Sequence, residues 1–158
     1  MTNHLIVYYS WSGNTKKIAE EIQRLTGGDV FQIQPVKPYP KEYNQCTVQA
    51  KQEINAGYKP ALKESVDNLA GYKTVFVGSP NWWSTIAPPV LTFLTEYDLT
   101  GKQVVPFCTH GGGGTARCFS DTAKLAVKSE ILDGLSVSGS RAGTSKSEVE
   151  NWIKKIGL

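Results

Sequence analysis

Five short stretches of the chain have the hydrophobic pattern of β-strands. Three are continuous apolar runs rich in β-branched and aromatic residues, as in strands that are buried on both faces of a parallel sheet. A fourth run is weaker, and a fifth alternates polar and apolar residues, as an edge strand does. The strong runs are residues 5–9, 74–78 and 104–109, the weak run is 131–137, and the alternating run is 29–34.

Helical patterns occupy the segments between these runs. The clearest covers residues 14–25, where apolar residues recur on one face and Gly27 follows as a left-handed C-terminal cap. The other predicted helices are residues 42–56, 87–95, 116–129 and 147–156. Strands that alternate with helices predict an α/β fold, a doubly wound, five-stranded parallel sheet with helices on both faces.

One residue conflicts with this pattern. Pro106 lies inside the run 104–109, where a central strand needs the N–H that proline lacks. We expect either a bulge at Pro106 or the start of the strand there.

Length, charge and cysteine content narrow the class of protein. A chain of 158 residues fits a single domain, residues 1–158. The net charge of +3 comes from scattered lysines without an arginine-rich cluster, which argues against a nucleic-acid partner. No apolar run approaches the ~20 residues of a membrane span, so no membrane partner is expected. Cys46, Cys108 and Cys118 have no metal-ligand spacing, so we expect no metal site, free thiols and a reducing, cytoplasmic location.

The turn between the first strand and the first helix has the composition of an anion-binding site. Backbone N–H groups at a helix N-terminus, which carries roughly half a positive charge, can hold a phosphate. Hydroxyl side chains add donors, and a glycine lets the backbone approach the ligand closely. An ordinary helix N-cap is the alternative interpretation. The residues of this turn are Ser10, Trp11, Ser12, Gly13, Asn14 and Thr15.

Two common nucleotide-binding motifs are missing from the turn. The pattern GxxxxGK[ST], which a triphosphate loop needs, is absent, and so is the GxGxxG pattern of dinucleotide-binding folds. A monophosphate held by uncharged donors is the ligand that remains.

Two adjacent tryptophans follow the run 74–78. Large aromatic rings at the carboxyl end of a strand suit stacking on a flat ligand, although a ring can instead cap the core. Since adjacent residues point in different directions, we expect one tryptophan to pack and the other to reach the ligand, and the sequence does not decide between them. The candidate residues of this loop are Ser79, Pro80, Asn81, Trp82 and Trp83.

A glycine-rich loop follows the run 104–109. Its N–H groups can approach the edge of a ring and donate to carbonyl oxygens, whereas the alternative is a floppy surface loop. A single histidine such as the one in this loop is more often structural than catalytic. The candidate residues are Thr109, His110, Gly111, Gly112 and Gly113.

The three loops are expected at one edge of the sheet. In open parallel sheets, ligands bind beyond the carboxyl ends of the strands. A phosphate site, an indole and a row of backbone donors match the phosphate, the planar ring and the pyrimidine carbonyls of flavin mononucleotide (FMN). The sequence therefore predicts FMN as the cofactor.

Over nearly all of its length, the chain resembles the flavodoxins. The segment YYSWSGNTKKIA is similar to the family's phosphate signature, Thr/Ser-x-Thr/Ser-Gly-x-Thr. The segments VGSPNWWSTIAPPVLTFL and PFCTHGGGGT are similar to the two flavin loops of a short-chain subgroup that is common in bacteria. The resemblance implies the strand order 2-1-3-4-5 and non-covalently bound FMN, with phosphate contacts from the turn and ring contacts from the other two loops.

The resemblance also implies a function, a low-potential electron carrier whose partners are redox proteins. The alternative is an FMN-dependent NAD(P)H:quinone-type oxidoreductase with a small quinone-like acceptor. The glycines of the third loop favour this alternative, because they leave one ring face open, and the predicted helix 42–56 could roof a pocket there. A non-redox binding module is a third hypothesis, weakened because Tyr9 and Ser10 stand where a phospho-receiver needs acidic residues. Well-studied flavodoxins are strongly acidic, so their charge-based docking cannot be transferred to this slightly basic chain.

Overall fold

The computed structural model describes residues 3–158, and a parallel sheet forms their centre. The order of its strands is β2-β1-β3-β5, and β6 and β7 share the fifth position as successive partners of β5. A short strand, β4, pairs antiparallel with β3. The strands are β1 (His4–Tyr8), β2 (Asp29–Gln32), β3 (Thr74–Trp82), β4 (Thr85–Ile86), β5 (Gln103–His110), β6 (Glu130–Ile131) and β7 (Leu135–Ser138). The predicted fold class and strand order are confirmed.

Helices cover both faces of the sheet. One face packs against α1 and α5 through a core that includes Ile6, Phe76 and Val105. The other face packs against α2, α3 and α4 through alternate strand residues such as Val7 and Val77. The helices are α1 (Asn14–Thr26), α2 (Tyr43–Ala56), α3 (Pro88–Glu96), α4 (Cys118–Leu125) and α5 (Lys146–Lys155), with short 3-10 helices at Leu69–Gly71 and Gly139–Thr144. Every helix of the described chain is too short or too polar to span a bilayer.

The central strands are in parallel register, which brings their carboxyl ends to one edge. Tyr8 pairs with Gly78, and Gly78 pairs with Phe107. The ring of Phe107 lies over Gly78, where an added Cβ would come within 2.2 Å of it. Glycine thus lets β3 and β5 align, and the segments that leave these strands emerge side by side.

Pro106 leaves β5 intact but coincides with a break in its neighbour. It pairs with Val77 in an uninterrupted register, so the predicted bulge or strand start is wrong. The N–H of Leu132 bonds to the carbonyl of Val104 at 2.9 Å, so the backbone polar groups of Val104 point toward the fifth strand position. Because these groups alternate in direction along a strand, those of Pro106 point the same way. Proline offers no N–H there. The predicted strand 131–137 is accordingly divided into β6 and β7 at this point.

Two other elements differ from the sequence-based expectation. The predicted helix 116–129 is shorter, because Ala116 has a left-handed φ of 42° and Ala126 has a ψ of 60°, both of which an α-helix excludes. The segment after residue 78, expected as a loop, continues as strand and forms a hairpin with β4. Trp83 and Ser84 make the two-residue turn with φ values of 52° and 72°, as in type I′ turns.

Candidate functional site

An open cavity of about 640 Å³ lies at the carboxyl edge of the sheet. Its walls are the turn before α1, the β3–β4 hairpin and the loop after β5, and α2 forms its roof. The sequence-predicted residues that line it are Trp11, Ser12, Asn14, Pro80, Asn81, Trp82, Trp83, Thr109, His110 and Gly111. The three loops that the sequence places at one edge therefore meet at one cavity.

The other candidate residues are not part of this lining; they are Ser10, Gly13, Thr15, Ser79, Gly112 and Gly113. Two of them tie the walls together. The hydroxyls of Thr15 and Thr109, both buried, are 2.8 Å apart and join the first turn to β5. The hydroxyl of Ser79 accepts the N–H of Ala87 at 2.9 Å and donates to the carbonyl of Pro80, so it supports the hairpin from behind.

The turn before α1 has the features of a phosphate site. Ser10 Oγ accepts the N–H groups of Gly13 and Lys16, at 3.1 and 3.2 Å, and so folds the turn back on itself. Gly13 is the N-cap, with a left-handed φ of 96°, and nothing lies within 4 Å of the position a Cβ would take. The first turn of α1 contains no acidic side chain, so the positive end of the helix is not neutralised from within.

The glycine-rich loop after β5 is held by hydrogen bonds rather than being floppy. Asn81 Nδ2 donates to the carbonyl of Gly114 at 2.8 Å, which fastens the loop to the hairpin. The N–H of Gly112 donates to His110 Nδ1 at 3.0 Å. Because Nδ1 accepts this bond, His110 braces the loop from within.

The two tryptophans of the hairpin have different environments. Trp82 meets the rings of Tyr9 and Tyr39 edge-on, at centroid distances of 5.5 and 5.0 Å. Trp83 is 48% exposed, and its indole N–H donates to the carbonyl of Thr47 in α2 at 2.9 Å. Trp82 is therefore the packed ring, and both rings also line the cavity.

Two further parts of the lining were not among the sequence-predicted site residues. The first is the inner face of α2, which the sequence suggested only as a roof. The second is the segment after β7, at the carboxyl end of the fifth strand position. Because ligands bind at that edge of a parallel sheet, the sequence could have indicated this segment as well. The residues are Tyr43, Cys46, Thr47 and Ala50 from α2, and Ser138, Gly139 and Ser140 after β7.

A partly buried polar cluster lies beneath α2. Tyr39 O–H donates to Glu53 Oε1 at 2.5 Å, and Gln49 Nε2 donates to Glu53 Oε2 at 2.9 Å. Burial, followed by the hydrogen bond to Glu53, raises the pKa of Tyr39 far above its ordinary value. Burial also raises the pKa of Tyr9, with the nearby Cys46 and Glu53 adding to the effect. Both phenols therefore stay neutral at physiological pH.

The thiol of Cys46 is expected to be unreactive at neutral pH. Burial, and then the carboxylate of Glu53, raises its pKa to about 11. Since the thiolate is the reactive form, alkylation of Cys46 at pH 8 should be more than ~10-fold slower than that of a free thiol, and should accelerate as the pH rises toward 11. Iodoacetamide labelling followed by peptide mass spectrometry measures this rate. A rate equal to that of a small free thiol at pH 8 would contradict the assigned environment.

A family comparison identifies the chain. Residues 3–156 match the family model described as flavodoxin. The chain belongs to the flavodoxin family. The resemblance inferred from the sequence motifs is therefore confirmed, and it covers both the cavity and the sheet that supports it. A search of curated proteins found no match.

Solved structures of flavodoxin-like proteins resemble this chain over nearly their whole length. A protein of Bacteroides eggerthii that is assigned as a flavoprotein is 28% identical, with a TM-score of 0.87 over 100% of this chain and 99% of that one. A similarly assigned protein of Bacteroides uniformis is 27% identical, with a TM-score of 0.84 over 97% and 98%. A flavoprotein of Lactobacillus acidophilus, solved in complex with FMN, is 24% identical, with a TM-score of 0.74 over 96% and 99%.

Proposed function

We propose that this member of the flavodoxin family binds FMN non-covalently in the cavity and carries electrons at low potential between redox proteins. The observation that carries the proposal is the convergence of three loops on one cavity, with an unneutralised helix N-terminus, two tryptophans and a hydrogen-bonded glycine loop. The family and the FMN complex of the Lactobacillus protein support FMN as the cofactor.

The residues of the cavity fit FMN. Its volume of about 640 Å³ lies within the usual range for cofactor sites. Space remains open beside Gly13, Gly111 and Gly112, so the backbone of both loops is accessible to a ligand. Ser12 and Asn14 would contact the phosphate, Trp82 and Trp83 would flank the ring, and the glycine loop would donate to the pyrimidine edge.

When bound, FMN accepts and releases electrons, and the protein determines how readily it does so. All of the residues found to line the cavity are formally uncharged, with histidine counted as neutral. An uncharged lining offers no positive side chain to offset the gain of negative charge by its occupant, which makes that gain less favourable and lowers the reduction potential. The lining therefore supports the proposed low potential.

A second candidate function is an FMN-dependent reductase of quinone-like acceptors. The open cavity under α2 favours this function. Tyr43, at the mouth of the cavity, is 67% exposed. A flat acceptor could enter beneath this roof.

One experiment tests the proposal. We expect the purified protein to take up FMN and to show a flavin spectrum, and stepwise reduction to give two resolved one-electron steps, the second at low potential. Turnover of NAD(P)H with a panel of quinones should be negligible. A protein that takes up no FMN would overturn both candidate functions, whereas rapid NAD(P)H-dependent quinone reduction would replace the carrier with the reductase.

A further inference from the structure

The chain between β2 and β3 crosses over the cavity. Backbone hydrogen bonds join the two ends of this segment. Pro35 and Leu62 form an isolated antiparallel bridge. The N–H of Val36 bonds to the carbonyl of Ala61, and the N–H of Lys63 bonds to the carbonyl of Gln34, both at 2.8 Å. We call residues 35–63 the strap; it contains α2, which roofs the cavity.

The strap holds the entire excess charge of the protein. It contains five lysines and two glutamates, a net charge of +3. The whole chain also has a net charge of +3, so the charges outside the strap cancel. The lysines are Lys37, Lys41, Lys51, Lys59 and Lys63, and the glutamates are Glu42 and Glu53.

The strap lysines are not neutralised by ion pairs. The ion pairs found within residues 3–158 involve Arg24, Arg117, Arg141 and Lys154, all outside the strap. The two strap glutamates have other roles: Glu42 caps α2 by accepting the N–H of Gln45, and Glu53 binds Tyr39 and Gln49. Since all five strap lysines are exposed, their positive charge is accessible to a partner.

One strap lysine borders exposed aromatic surface at the mouth of the cavity, and two others line a smaller cavity next to it. Lys51 Nζ lies 5.0 Å from the ring centroid of Trp83, which is 48% exposed. Tyr43 is 67% exposed, and its ring lies 6.3 Å from that of Trp11. Lys41 and Lys63 line a smaller cavity of about 270 Å³ that has Trp11 as a wall in common with the first.

We define the mouth surface as Lys41, Tyr43, Lys51, Lys63 and Trp83. Exposed Tyr and Trp rings are the side chains that most often anchor protein interfaces. A surrounding ring of like charge steers an oppositely charged partner toward such an anchor. Aromatic exposure and positive charge without an ion-pair partner among residues 3–158 thus occur together, with Lys51 at the opening of the cavity and Lys41 and Lys63 at the neighbouring cavity.

We propose that the mouth surface docks an acidic redox protein, which exchanges electrons with the cofactor through the cavity opening. This inference rests on the proposed function. One electron would pass from reduced FMN, which would be oxidised by one electron, to a one-electron acceptor of the partner, such as a ferric haem, which would become ferrous. The partner is recognised by carboxylates around its own cofactor edge, the opposite of the charge pattern that serves acidic flavodoxins.

Stopped-flow kinetics with two haem proteins of opposite charge test the proposal. The probes are the soluble domain of cytochrome b5, which is acidic, and cytochrome c, which is basic. We expect the rate constant for oxidation of the reduced holoprotein by cytochrome b5 to fall as the ionic strength rises from about 20 to about 200 mM, because salt screens attraction. The rate with cytochrome c should rise or stay unchanged.

Two charge-reversal variants test whether the attraction to cytochrome b5 comes from the mouth surface. Lys51→Glu should lower the rate with cytochrome b5 about 5- to 10-fold at low ionic strength. Lys155→Glu, on α5 and outside the strap, changes the net charge equally and should change this rate less than about 2-fold. Equal effects of the two variants would overturn the proposal, and so would a cytochrome b5 rate that rises with salt.

Two further measurements separate this proposal from the proposed function. FMN affinity should be unchanged in Lys51→Glu within a few-fold, because Lys51 does not line the cavity. If wild-type protein binds FMN normally but shows no preference for cytochrome b5, only the docking proposal fails. If Lys51→Glu instead raises the KM for NADPH and leaves the cytochrome b5 rate unchanged, the strap serves a small anionic donor and the docking of a protein is wrong.

Discussion

The Ser12→Asp variant is expected to bind FMN about 100-fold more weakly than the wild-type protein, with its affinity for riboflavin unchanged within a few-fold. Ser12 lines the cavity immediately before the N-cap Gly13. A carboxylate there would face the phosphate in a turn that holds no other acidic side chain. Two unit charges about 4 Å apart near a protein surface repel by about 4 kcal/mol, and a 100-fold loss corresponds to about 2.7 kcal/mol, which allows for partial screening.

Quenching of flavin fluorescence during titration measures both affinities. Riboflavin has the same ring without the phosphate, so the ratio of the two dissociation constants isolates the phosphate term. Ser120→Asp in α4 is a matched control, because it adds the same charge at an exposed position outside the cavity lining. Equal losses for FMN and riboflavin would mean that the turn does not hold the phosphate.

The sheet could be predicted from the sequence because its signal is local. The apolar runs of β1, β3 and β5 are each buried on two faces, and glycine or small polar residues end them. The order of the strands came from the resemblance to flavodoxins, since periodicity alone does not decide which strands are neighbours. Pro106 misled the prediction because its effect falls on the next strand: β5 keeps its register, and the break appears between β6 and β7.

The sequence predicted the three candidate loops. It did not predict the hairpin or the inner face of α2, because both depend on tertiary packing. The hairpin gave no signal, because Trp83 and Ser84 occupy turn positions that usually require glycine or asparagine. Such a backbone conformation is costly for a large side chain and is held by its surroundings, here by the bond from Trp83 to Thr47. The inner face of α2 was equally hidden, because this helix is mostly polar and its weak apolar stripe does not show which residues face a cavity.

The roles of the two adjacent tryptophans, which the sequence left open, lead to the second large prediction. Trp82→Ala should lower the free energy of unfolding by about 3 kcal/mol, whereas Trp83→Ala should lower it by no more than about 1 kcal/mol. Trp82 loses edge-on packing against Tyr9 and Tyr39, and a cavity remains in its place. Trp83 loses one hydrogen bond to Thr47 and a cation contact with Lys51, both at an exposed ring.

Chemical denaturation of the two apoproteins measures this difference without the stabilisation that bound cofactor adds. The corresponding fall in the melting temperature for Trp82→Ala is about 10 °C, as expected for a chain of this size. The two variants remove the same atoms from neighbouring positions, so each is the control for the other. Equal destabilisation would refute the distinction between the packed and the exposed ring. A larger effect of Trp83→Ala would place the main aromatic anchor in the contact between the hairpin and α2, and not in the tyrosine cluster beneath it.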